Sequence, residues 1–174
     1  MSQKLEFFFD FVSPYSYLAH SQLPGLHADV VLRPMHVLSV MKEVGNTPTT
    51  VTCAAKGRYA GKDLARWARR YGVPFAQNPH FPINTLTLMR GAVGLQMRRP
   101  ADFERYVAAV YRAMWVEPQN LGDAAVLAAA LQRAGFDVEA LLALVNDPEV
   151  KARLVANTDE AVARGVFEDR KSVV

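Results

Sequence analysis

Only one of the 174 residues is a cysteine, Cys53, so the chain cannot form a disulfide within itself. Long apolar runs are also missing. No stretch reaches the roughly 18 apolar residues of a membrane span, and no membrane association is expected. The opening residues, Met1 to Glu6, lack a cationic stretch followed by an apolar one, so no secretory leader is expected and the chain reads as soluble and cytoplasmic. A charge excess is nearly absent too. Twenty Lys and Arg face 17 Asp and Glu, and a net charge of +3 makes no nucleic-acid footprint. His20, His27, His36 and His80 show no metal-ligand spacing, so no metal is expected. Phosphate loops, dinucleotide fingerprints, internal repeats and low-complexity segments are absent as well.

What is there supports a packed core, with 51% hydrophobic and 21% charged residues in a length that suits one domain, or one domain with an insertion. Residues 5–12 (LEFFFDFV) are almost unbroken in apolar character, which predicts a buried strand. Ser13-Pro14 signals a helix start, since Ser caps and Pro is tolerated at the first helical position. That helix is predicted over residues 15–26, ended by Pro24-Gly25, and residues 30–34 form a second strand. Strand, helix, strand implies a parallel pair with a right-handed crossover.

After Val37 the pattern turns helical. A helix is predicted over residues 53–71, then a loop from Pro74 to Pro82. Leu86, Met89, Val93 and Met97 recur at helical spacing, as do Phe103, Val107, Val110 and Met114. Helices follow over 123–134 and 138–145. Asp147-Pro148 opens one ending near Ala156, and Thr158 caps a last short helix closed by Gly165.

Ser13 stands where thioredoxin-like proteins carry a C-x-x-C pair, and the four positions here read Ser13-Pro14-Tyr15-Ser16. Without cysteines there, dithiol exchange by the chain's own residues is excluded. A hydroxyl can still donate to the thiolate of another molecule. Half-ionising a thiol of pKa near 8.5 at pH 7 needs about 2 kcal/mol. A hydrogen bond to an ion gives roughly 1.5–3 kcal/mol, and a helix N-terminus adds roughly 0.3–1. Ser-Pro at such a junction is equally an ordinary helix cap.

The stretch from Phe7 to Ala19 is similar to the opening of the 2-hydroxychromene-2-carboxylate isomerases and kappa-class glutathione transferases. Arg33-Pro34, Gly45-Asn46-Thr47-Pro48, Lys56-Gly57-Arg58-Tyr59, Asp63-Leu64-Ala65-Arg66-Trp67-Ala68, Phe81-Pro82-Ile83-Asn84 and Ala161 to Phe167 follow in that family's order. The resemblance implies an α/β, thioredoxin-like fold with a large inserted helical domain. Residues 1–36 would begin the thioredoxin-like part, 37–157 form the insertion, and 158–174 be what is left of its C-terminal part. The family usually continues into a Gly-Val-Pro-Thr strand, a second strand and a helix. Here the sequence reads Gly165-Val-Phe-Glu-Asp-Arg-Lys-Ser-Val-Val174, so those C-terminal strands and the helix are expected to be missing. Such a loss would bare an edge of the first strand.

By resemblance, Ser13 holds the thiolate of glutathione as catalytic residue, and Asn46 and Lys56 line the glutathione pocket. Arg66 and Asn84 are candidates for the substrate. Each has a plainer alternative: a Gly-Asn turn for Asn46, a solvated helix face for Lys56, a surface Arg beside a core Trp67 for Arg66, and a helix cap for Asn84. The implied activity is a glutathione-dependent isomerisation of a small aromatic-degradation intermediate by a homodimer. A kappa-class-like glutathione transfer is the alternative, and a non-catalytic relative acting only in association is a third reading.

Overall fold

The computed structural model describes residues 3–167. Strands β1 (Gln3–Phe9) and β2 (Ala28–Pro34) pair in parallel, with Gln3 opposite Ala28 and Phe9 opposite Pro34. They form a two-stranded sheet among the described residues, joined by helix α1 (Pro14–His20) and a 3-10 turn at Leu23–Gly25. Helices α2 (Val37–Glu43), α3 (Thr49–Thr52), α4 (Ala54–Tyr71), α5 (Leu86–Arg98) and α6 (Pro100–Trp115) follow. Then come α7 (Ala124–Arg133), α8 (Val138–Asn146) and α9 (Pro148–Ala163).

Because side chains alternate across a strand, β1 serves two cores at once. Phe7 and Phe9, with Phe11 beyond them, join the large core, where Met89, Val107, Tyr111 and Trp115 are buried. Phe8 turns the other way, into a smaller core with Val12, Met35, Val37, Val40, Ala161 and Val166. From Phe7 to Phe9 the strand is covered on both faces and has no polar side to show, which accounts for the aromatic run there.

The strand ends at Phe9, short of the expected Val12, because Asp10 redirects the chain. Its carboxylate is fully buried and accepts from Val12 N–H (3.0 Å), Val37 N–H (2.9 Å) and the Thr85 hydroxyl (2.6 Å). The first helix is also shorter than expected. It stops at His20, where the Ser21 hydroxyl donates to the Leu18 carbonyl at 2.6 Å.

The expected break before Thr158 does not occur. Helix α9 runs unbroken from Pro148 to Ala163 and crosses the boundary drawn between residues 157 and 158. Thr158 sits inside it because its hydroxyl donates back to the Leu154 carbonyl (2.7 Å) while accepting from His36 N–H (3.1 Å). Asn157 donates to the Pro34 carbonyl (3.0 Å), so α9 is fastened to the end of β2. Ion pairs reinforce the join: Arg164 meets Glu6 (2.6 Å) and Glu160 (3.1 Å), and Arg33 bonds Glu160, with both guanidinium groups over the Phe8 ring. The expectation about residues beyond Phe167 lies outside the described residues.

Candidate active site

Ser13 caps α1 with extended backbone (φ −90°, ψ 118°), and its Oγ accepts from Ser16 N–H at 3.1 Å. The plain reading of Ser13 as a cap is therefore realised. A hydroxyl has one proton and two lone pairs, so capping leaves the proton to give. Among the described residues, that proton has no acceptor. Only 3% of Ser13 is exposed. At that depth the hydroxyl is shielded from water, where a hydrogen bond to an ion is strongest.

The loop that carries Ser13 is held from several sides. Its N–H donates to the Asp10 carbonyl (3.2 Å), and the buried Trp115 indole donates to the Phe11 carbonyl (2.9 Å). Tyr17 on α1 donates to the Pro74 carbonyl (2.6 Å). Burial pushes the Asp10 carboxyl above its ordinary value, while Thr85 and the Val12 and Val37 amides pull it back down. Sequence reasoning missed Asp10 and Thr85. The one available sign was an acid set between the aromatic residues Phe9 and Phe11.

Lys56 and Arg66 are exposed on α4, and neither has an ion-pair partner among the described residues. Their helix lies beside α1, since the Tyr15 hydroxyl donates to Asp63 at 3.4 Å. Lys56 is seven residues before Asp63, about two turns away on the same face. Trp67, expected in the core, is 39% exposed, with Arg70 over its ring and Tyr71 beside it. The core-facing positions of α4 are Leu64 and Ala68, which leaves Trp67 on the flank.

Asn46 follows α2, and its amide donates to the Phe167 carbonyl (3.0 Å). Asn84 accepts from Leu86 N–H (3.0 Å), yet the cap position of α5 is held by Thr85, one residue further on, so the expected cap becomes a turn contact just outside the helix. Asn84 also lines a cavity between α5, α6, α7 and α8, whose walls include neither Ser13, Asn46, Lys56 nor Arg66. No hydrogen bond or ion pair among the described residues joins Ser13 to any of the other four. No group of three or more His, Cys, Asp or Glu side chains is placed to hold a metal among these residues, and no helix is long and apolar enough to cross a membrane.

A parallel βαβ opening with a capping residue at the strand-to-helix junction, a helical body and a returning α9 can be compared with known proteins as a whole. The DSBA-like thioredoxin domain matches residues 4–167. The chain belongs to that family. Its relatives within the DSBA-like thioredoxin family include 2-hydroxychromene-2-carboxylate isomerase of Sphingobium xenophagum, 29% identical over 96% of this chain and 86% of that protein. Human glutathione S-transferase kappa 1 is 26% identical over 96% of this chain and 79% of its own length. A solved structure of 2-hydroxychromene-2-carboxylate isomerase superposes with a TM-score of 0.84 at 26% identity, covering 99% of this chain and 85% of that one. The fold is thus thioredoxin-like, mostly helical with a small sheet. As a DSBA-like member without a cysteine at residues 13–16, this chain cannot cycle a disulfide of its own there.

Proposed function

We propose that the protein is a glutathione-dependent isomerase acting on a small unsaturated intermediate of aromatic breakdown. The observation that carries this reading is Ser13: a buried hydroxyl at the strand-to-helix junction whose proton has no acceptor among the described residues. The residues suit glutathione, a thiol with carboxylate ends. Ser13 would meet the sulfur, and Lys56 is a cation without an ion-pair partner among the described residues, on the helix docked against α1. Asn46 keeps an amide for the peptide part, although one of its donors is engaged by Phe167. Arg66 is assigned to an anionic substrate group. Asn84, at the cavity, is assigned a place outside the glutathione contacts.

Bound glutathione supplies a nucleophilic sulfur for reversible addition to a conjugated carbon, the chemistry that frees a double bond to rotate. The chain's own part is narrower. Ser13 gives a hydrogen bond that favours the ionised sulfur, worth roughly 1.5–3 kcal/mol against the roughly 2 kcal/mol that half-ionisation at pH 7 requires. The Ser16 N–H is already spent on Ser13 Oγ, so this contribution rests on the hydroxyl more than on the helix end. The assembly proposed is a cytoplasmic homodimer.

Isothermal titration with glutathione tests the reading, and no binding at millimolar concentration overturns it. If glutathione binds, turnover of a cis ring-opened chromene carboxylate supports the isomerase. Turnover confined to an electrophilic chloronitrobenzene supports a transferase instead.

A further inference from the structure

Helices α5, α6, α7 and α8 enclose a cavity of about 190 Å³ that the glutathione chemistry does not use. Its walls are mainly aliphatic, Leu131 and Leu141 among them, and no charged side chain among the described residues lines it. One wall is the Tyr106 ring. The Tyr106 hydroxyl is buried and donates to the Leu88 carbonyl at 3.0 Å. It can lie flat against α5 because position 91 is glycine, where a Cβ would collide with the hydroxyl. That wall is therefore fixed, and its polar atom is already satisfied.

The remaining hydrogen-bonding capacity is concentrated at Asn84 and Thr87. Asn84 spends its carbonyl oxygen on Leu86 N–H, and its amide Nδ2 has no acceptor among the described residues. The Thr87 hydroxyl likewise has no partner there. Leu142, another lining residue, is 50% exposed, so the space opens to solvent. Asn84 and Thr87 are both exposed, so the cavity is an apolar hole with two polar side chains at its rim, a binding site in outline.

Size and charge select the ligand. Aliphatic cavities of about 150 Å³ take up benzene, so this one admits a single aromatic ring with a small substituent and excludes a tripeptide. With no charged wall, an ionised ligand would lose its hydration without compensation. The Asn84 amide at the rim can donate, so a ligand that carries an acceptor gains a hydrogen bond there.

We propose that this cavity is a second binding site, separate from Ser13, for a neutral monocyclic aromatic carrying one hydrogen-bond acceptor, such as an aryl ketone or aldehyde.

Acetophenone is the probe, titrated into the full chain by calorimetry and followed by saturation-transfer NMR. Saturable binding is expected, with benzoate at least tenfold weaker because its charge must be buried. Ala128→Leu fills the space and should weaken acetophenone at least tenfold while glutathione binding stays unchanged. Should that variant fail to fold, Val138→Leu narrows the same space. Asn84→Ala should weaken acetophenone about 2- to 10-fold and leave ethylbenzene, which has no acceptor, unaffected. Three results each overturn the proposal: no saturable acetophenone binding, binding indifferent to the filling variant, or benzoate binding as tightly as acetophenone.

Discussion

The Thr85 hydroxyl donates to Asp10 Oδ1 at 2.6 Å, joining two buried side chains 75 residues apart in the sequence. Asp10 ends β1, and the chain reaches Ser13 three residues later. The cap residue of α5 and the loop carrying Ser13 are thereby one unit.

Thr85→Val keeps the volume and removes the donor, and should cost about 1–2 kcal/mol. The pH dependence has a definite sign. Asp10 is raised by burial above 3.8, so its contribution is complete below that value and is lost as pH rises through the higher folded value. Losing Thr85 removes a bond that pulls the value down, so the loss extends to higher pH. The variant's deficit in denaturant melts should therefore be larger at neutral pH than in acid.

Ser13→Gly separates capping from chemistry. Glycine at a cap costs only a few tenths of a kcal/mol, so the melt should barely move. Without the hydroxyl, bound glutathione should lose its thiolate absorbance in the ultraviolet. Unchanged ionisation would remove Ser13 from the role proposed for it.

Trp115→Phe leaves the ring stack but strips the buried Phe11 carbonyl of its donor. The expected cost is about 2–4 kcal/mol, the sum of an unsatisfied buried acceptor and lost volume. Glutathione affinity should fall with it, since Phe11 lies in the loop that holds Ser13.

Arg164→Met tests the pairing that fastens β1 to the end of α9. The bond from Arg164 is the main cause holding Glu6 below its ordinary 4.5, with Arg33 helping. A lowered acid stabilises above its ordinary value and loses that contribution as pH falls through the folded one. The gap between wild type and variant in urea melts should thus be widest near neutral pH and close in acid. Added salt should narrow it, because these groups are partly open to water.

Local patterns made much of this legible. The apolar run at Phe7–Phe9, the Ser13-Pro14 cap and the spacing of Leu86, Met89 and Val93 each announce their element in a few residues. Errors arose where a distant partner decides. Asp10 bends the chain because Val37 and Thr85 donate to it, and neither is visible from its own neighbourhood. Thr158 looks like a cap until His36 is seen to occupy its hydroxyl from another element. Trp67 is large and aromatic, which suggests a core, yet Leu64 and Ala68 set which side of α4 faces inward. At the candidate site, the capping role of Ser13 was readable from position alone. The setting of Asn46 was not, because its partner is Phe167 at the far end of the chain.

The two-sided burial of β1 has a consequence for synthesis on the ribosome. Phe7 and Phe9 find cover when α5 and α6 emerge, but Phe8 waits for Ala161 and Val166. At about 5–20 residues per second, α9 leaves the ribosome on the order of 10 s after the strand it closes. Throughout that interval Met35, Val37 and Val40 are the cover available to that face of the first strand in the nascent chain, and α9 completes it.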